Sequence, residues 1–188
     1  MVIPLSRFVF IASIMIGAIA FTGLDAPRPT AAQELKKNPT AQDYVERNGG
    51  GATIVPAGKL VLDGHRMSCG RWATVLDPNV DDYAKSYPQI VILNMPLIAK
   101  VPTAVKLWIY SHECSHLFGG PDENKADCLA VRRGRAAGWL NAEGVDEICN
   151  FINVARPDSM HMSGPARCSL MRQCYQDATP KPATKAVE

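Results

Sequence analysis

The sequence has little net charge. Of its 188 residues, 20 are Lys or Arg and 18 are Asp or Glu, a formal balance of +2, which is too small to recruit nucleic acid. The basic cluster Arg132, Arg133 and Arg135 reads as a solvated helix face. No internal repeat occurs. With 47% apolar and 20% charged residues, the composition excludes a disordered or fibrous chain and suits one globular domain. No C-x-x-C pair is present, so the spacing preferred by a cysteine-ligated zinc site is missing. Histidine is scarce as well, with only His65, His112, His116 and His161 in the chain.

The N-terminus reads as an export address. Arg7 supplies a positive start, "FVFIASIMIGAIAFTGL" an apolar stretch and "PTAAQE" a small-residue cleavage site, so residues 1–32 are expected to be a signal peptide with the mature chain starting near Gln33. The apolar run from Phe8 to Leu24 is 17 residues, at the lower edge of a bilayer span. An uncleaved N-terminal anchor is therefore the alternative, and the only membrane contact expected. No cysteine lies near this segment to accept a lipid. All six cysteines, Cys69, Cys114, Cys128, Cys149, Cys168 and Cys174, follow it. An even number in an oxidising compartment suggests three disulfides, with fifteen connectivities open, in a periplasmic or secreted protein.

Residues 33–50 are polar, end in "NGGG", and read as a linker. Residues 51–175 are expected to fold, and 176–188 to form a flexible tail. Within the domain, "ATIVPAGKLVLDG" and "WATVLD" carry short strand patterns, and "PQIVILN" a stronger one. The signal then becomes helical. One helix is expected from Pro102 through "TAVKLWIYSHECSHLF" to a stop at Gly119, a second from Pro121 to Arg133 or Ala137, and a third within "VDEICNFINVA". The fold class is α+β, a short β-sheet joined to a helical hairpin.

The chemistry lies in "HECSH". Residues four apart share a helix face, so His112 and His116 present two imidazoles side by side, with Glu113 about a quarter-turn away. This is a two-nitrogen metal site with an adjacent base, and catalytic zinc needs a third protein ligand. An antiparallel hairpin across Gly119, Gly120 and Pro121 would bring Glu123 roughly level with His116 and Asp127 roughly level with His112, at about 1.5 Å of rise per residue. Glu123 has the longer reach. Asp127 suits a ring N–H of a ligand histidine. Which of the two is the third ligand stays open, and an aspartate there would approach the aspzincin pattern. His65 belongs to none of these elements and reads as a surface or structural residue.

"HECSH" followed by E-x-x-A-D in "ENKAD", and by "HMSGPAR" with the spacing of a later His and Arg element, resembles the gluzincin metallopeptidases. The family in question includes the CAAX prenyl-protein endopeptidases and the small minigluzincins. The resemblance covers Tyr110 to Arg167. It departs from the family in its proline, replaced by Met162, and in the six residues between His116 and Glu123, fewer than the family usually has. The family is also largely membrane-embedded.

The resemblance implies a small zincin-like domain with His112, His116 and Glu123 as Zn2+ ligands, Glu113 as general base, Asp127 behind the ligands, and His161 with Arg167 near the reacting carbonyl. His161 is the first choice for stabilising the oxyanion and Tyr110 the second. "PQIVILN" is expected either as the edge strand that pairs with an extended peptide or protein substrate, or as a buried structural strand. Cys114 lies about 160–200° round its helix from the histidines, and Cys128 about 140° from Glu123, so each is expected to bond outside the hairpin. The leading function is an exported zinc metallopeptidase. The alternatives are an exported zinc-binding or interaction protein without turnover, and a disulfide-braced structural domain in which "HECSH" binds nothing.

Overall fold

In the computed structural model, residues 39–179 are described. The expected signal peptide, the first part of the expected linker and the end of the expected tail lie outside them. Among the described residues no helix is long and apolar enough to cross a membrane. The elements run α1 (Ala41–Asn48), β1 (Thr53–Val55), β2 (Leu60–Leu62), β3 (His65–Met67), β4 (Ala73–Leu76), β5 (Ala84–Tyr87), β6 (Ile90–Leu93), α2 (Met95–Ile98), α3 (Thr103–Gly119), α4 (Glu123–Ala137), α5 (Ala142–Ile152) and α6 (Gly164–Gln176). The α+β expectation holds.

Four strands form a sheet in the order β1-β4-β6-β5, with β4 and β6 parallel and the outer pairs antiparallel. All four β6 residues are buried, because alternate side chains meet different layers. Val91 and Leu93 join the main core with α3, while Ile90 and Ile92 pack with Tyr44 and Val45 of α1. Hence "PQIVILN" is an interior strand, and the reading that made it an edge is corrected. The polar β5 occupies that edge. β2 and β3 form a separate hairpin, on which His65 is exposed as expected.

α1 corrects the expectation of a linker over 33–50. Thr40 and Asp43 cap it reciprocally, and the Tyr44 hydroxyl donates to buried Asp77 at 2.7 Å, which docks the helix on the sheet.

The hairpin forms as its sequence dictates. α3 closes at Gly119, and Gly120 turns the chain at φ 80°, a conformation that favours glycine. Asp122 then caps α4 by accepting from Lys125 N–H. α3 is buried on most of its circumference, including Val105, Leu107, Trp108, Tyr110, His112 and Cys114. α5 fulfils the expected third helix, and α6 is an element that the sequence reading did not identify.

The six cysteines pair as Cys69–Cys114, Cys128–Cys174 and Cys149–Cys168. Cys114 and Cys128 therefore do bond outside the hairpin. The bridges tie α3 to the turn after β3, and α6 to both α4 and α5. Three disulfides suggest a non-cytoplasmic protein. Peptide mapping without reduction should recover these three pairs and no free thiol. Because bridges closing loops of this size typically contribute about 2–4 kcal/mol each, reduction should lower Tm by well over 10 °C. Six alkylatable thiols in protein isolated without reductant would refute the bracing.

Candidate metal centre

α3 and α4 bring three ligand atoms together. One from each of His112, His116 and Glu123 lies within 4.8 Å of the others. Glu123 Oε2 is 3.0 Å from His112 Nε2 and 3.4 Å from His116 Nε2, and the two Nε2 atoms are 3.2 Å apart. The geometry favours Glu123 over Asp127 as the third ligand, since Asp127 faces the other nitrogen of His112.

The outer contacts fix which ring nitrogen faces inward. His116 Nδ1 lies 2.9 Å from the Gly120 carbonyl, which only accepts, so that nitrogen carries the proton. His112 Nδ1 donates to Asp127 Oδ1 at 2.9 Å. Asp127 is fully buried, and Arg167 donates to it through Nε at 2.8 Å and through a terminal nitrogen at 2.9 Å. Both inward Nε2 atoms thus aim at each other and at a carboxylate oxygen. Such a convergence of lone pairs requires a cation, either a proton or a metal ion. Two imidazoles, a carboxylate and a carboxylate-held N–H fit zinc.

The electrostatics agree. Burial alone would lower the His112 pKa, but Asp127 and Glu123 outweigh it and raise it to about 9. For Glu123, burial works upward, yet the two histidines hold its carboxyl far below the usual range. Asp127 is likewise held down by Arg167 and His112 against the effect of burial.

Glu113, one residue along α3, lines the same ≈ 610 Å³ cleft as the ligand trio and His161. Among the described residues its carboxylate has no hydrogen-bond partner, so its lone pairs are free for a proton from water or substrate. His161 arrives from the loop before α6. Its Nε2 lies 3.1 Å from Glu123 Oε2 and its Nδ1 3.1 Å from Asp158 Oδ2. Three of the chain's four histidines therefore meet one carboxylate oxygen.

Asp158 was missed by the sequence reading. Its Oδ1 also accepts the backbone N–H groups of Met160 and His161 at 2.7 and 2.8 Å, so one aspartate both folds the loop and aims the ring. The signal for it was local, an aspartate a few residues before a histidine in a segment without helix or strand character. Two expected roles change. Tyr110 is 2% exposed and its hydroxyl meets Thr74 at 3.3 Å, so it belongs to the core and not to the cleft. Arg167 gives Nε and one terminal nitrogen to Asp127, so it anchors the carboxylate behind His112, as its expected place beside Asp127 implies, rather than reaching the reacting carbonyl.

Replacing His112, His116 or Glu123 by Ala should abolish stoichiometric zinc binding, while Asp127→Asn should weaken it by about 10- to 100-fold. Arg167→Met should destabilise the fold by about 3–5 kcal/mol, because it strands a buried carboxylate. Retained stoichiometric zinc in Glu123→Ala, measured by metal analysis after dialysis, would move the third ligand elsewhere.

The pH dependence follows from the same shifts. A raised His112 pKa stabilises the metal-free fold fully below 6.5, and this contribution is lost as pH rises through about 9. The lowered Glu123 pKa contributes above 4.5 and is lost as pH falls. With the His112 pKa raised to about 9, the metal-free site is expected to hold a proton at pH 7 that a bound metal ion would displace. Calorimetry in buffers of different ionisation enthalpy should show release of about one proton per ion or more, with affinity rising toward pH 9. Zinc uptake with no proton release would contradict this.

Compared with protein-family models, curated proteins and solved structures, the chain finds no match.

Proposed function

We propose that this chain is an exported zinc metallopeptidase of gluzincin type, resembling the minigluzincins in motif, that works in a periplasmic or secreted setting on peptide or protein substrates. The observation that carries the reading is the unbonded Glu113 carboxylate, one residue from His112 and facing the same cleft as the His112, His116 and Glu123 trio. When bound, zinc would supply a Lewis acid and make water acidic near neutral pH.

The chain's own residues then divide the work. Glu113 accepts a proton from the attacking water and delivers it to the leaving amine nitrogen. Asp127, held by Arg167, keeps the His112 proton on Nδ1 so that Nε2 stays a ligand. His161, aimed by Asp158, is the side chain best placed for negative charge developing on the substrate's carbonyl oxygen, and it donates from Nε2 when its ring carries both protons. β5 has one unpaired edge and lines the cleft with Ala84, Lys85, Ser86 and Tyr87, so an extended substrate backbone would pair there.

One observation favours the second reading, a zinc-binding protein without turnover. His161 Nε2 sits 3.1 Å from the ligand oxygen of Glu123, and a fourth protein ligand would close the site as structural zinc sites are closed. The two readings part on His161→Ala. The peptidase reading expects stoichiometric zinc with turnover reduced about 100-fold, whereas a closed site expects zinc to be lost.

The reading as a whole is tested by digesting a broad peptide library with the zinc-loaded protein, with and without chelator. Glu113→Gln should retain zinc and lose cleavage. Undiminished, chelator-sensitive proteolysis by Glu113→Gln would remove that residue as the base.

A further inference from the structure

We infer that a recess beside Glu113 receives one neutral, large apolar side chain of the substrate, aromatic by preference, next to the bond that is cut; this rests on the peptidase reading. The recess holds ≈ 310 Å³ and is walled by Tyr83, Trp108, Ile109, Phe151, Ile152 and Val154. His112, Glu113 and His161 line both it and the larger cleft. A side chain seated in it therefore places its own backbone against the base and the candidate oxyanion donor.

Charge decides what is refused. An incoming carboxylate would meet Asp82 and Glu113 at the recess, and the one guanidinium lining it, Arg167, is occupied by Asp127. An incoming ammonium would be drawn by Asp82 and Glu113 at the recess but would lose its water among Trp108, Phe151 and Ile152, at a larger cost. A neutral apolar group meets neither obstacle. The apolar surface continues outside, where Val154 is 87% and Met160 58% exposed on the loop that carries His161.

A second observation concerns Trp108 itself. It is 4% exposed, and its indole Nε1 is the one buried side-chain N or O atom without a partner among the described residues. A buried donor left unpaired is unfavourable. Trp108 lines the recess, so its indole resonance reports an occupant.

The test is a titration of the full, disulfide-bonded, zinc-loaded protein with the N-acetyl amides of tyrosine, phenylalanine, leucine, lysine and aspartic acid. The readout is the indole ¹H–¹⁵N resonances, with the Trp108 signal assigned through Trp108→Phe. The Trp108 resonance should shift saturably with the tyrosine and phenylalanine amides and less strongly with leucine, and the charged amides should bind about tenfold more weakly or worse. Phe151→Ala should weaken aromatic binding by about tenfold. Val154→Glu, at an exposed position that leaves folding intact, should also weaken it. No saturable shift, or equal binding of charged and aromatic amides, overturns the proposal. The library digest keeps the two ideas apart. Amide binding without any cleavage would leave the recess standing and remove the peptidase reading, and cleavage with no side-chain preference and no amide binding would do the reverse.

Discussion

The buried Asp127 carboxylate is the constraint on which the rest of the site depends. It has no exposed surface, and it is ionised only because Arg167 gives it two hydrogen bonds and His112 a third. An unpaired charge in that position would be prohibitive. α4 supplies the carboxylate, α3 the imidazole and α6 the guanidinium, so the three helices must be in register before the carboxylate can be buried. Each member of this relay also has a cysteine close by in sequence. Cys114 follows His112 by two residues, Cys128 follows Asp127 directly, and Cys168 follows Arg167 directly. A neighbour one residue along a helix points about 100° away. The bridges therefore grip each helix from another side and fix its rotation without entering the cleft.

The parts of the site that could be read in the sequence are those set by local geometry. H-E-x-x-H on a continuous helix fixes two imidazoles on one face, and a two-glycine break followed by proline fixes a tight hairpin. Glu123 and Asp127 then fall opposite the histidines by rise per residue alone. The cysteine angles were legible for the same reason, since direction around a helix follows from residue number. Arg167 and His161 entered only through family resemblance, because no periodicity links α6 and its preceding loop to a hairpin about 40 residues earlier.

What the sequence concealed was decided by tertiary context. The most apolar strand, β6, looked like the natural candidate for a functional edge, but an uninterrupted apolar run is what a strand covered on both faces needs. The true edge, "AKSY" in β5, is weak in strand character because its outer side stays open to solvent. α1 carried a legible signal, Thr40 and Asp43 in capping-box spacing, yet the polar composition of 33–50 and its glycines suggested a linker. Its place was settled by Tyr44 reaching Asp77, a contact across 33 residues. α3 gave a poor amphipathic signature because it is packed on nearly every side, and its polar residues Ser111, His112 and Ser115 are buried with the rest.

The balance of charge within the site links fold to function. Glu113, Glu123, Asp127 and Asp158 are gathered around the cleft with one guanidinium, Arg167, among them. Uncharged histidines would leave this collection strongly negative, so the site attracts positive charge whatever its source. In the metal-free protein a proton on His112 meets part of that demand, and a divalent ion would take its place. The demand does not collapse the structure, because the ligands stand on helices held by a continuous apolar core and three disulfides rather than by the ion. This separates the centre from small metal-dependent domains whose folding free energy is the binding energy of the ion. A preformed, electron-rich cluster that leaves Glu113 unbonded beside it is the arrangement that the proposed peptidase chemistry would use.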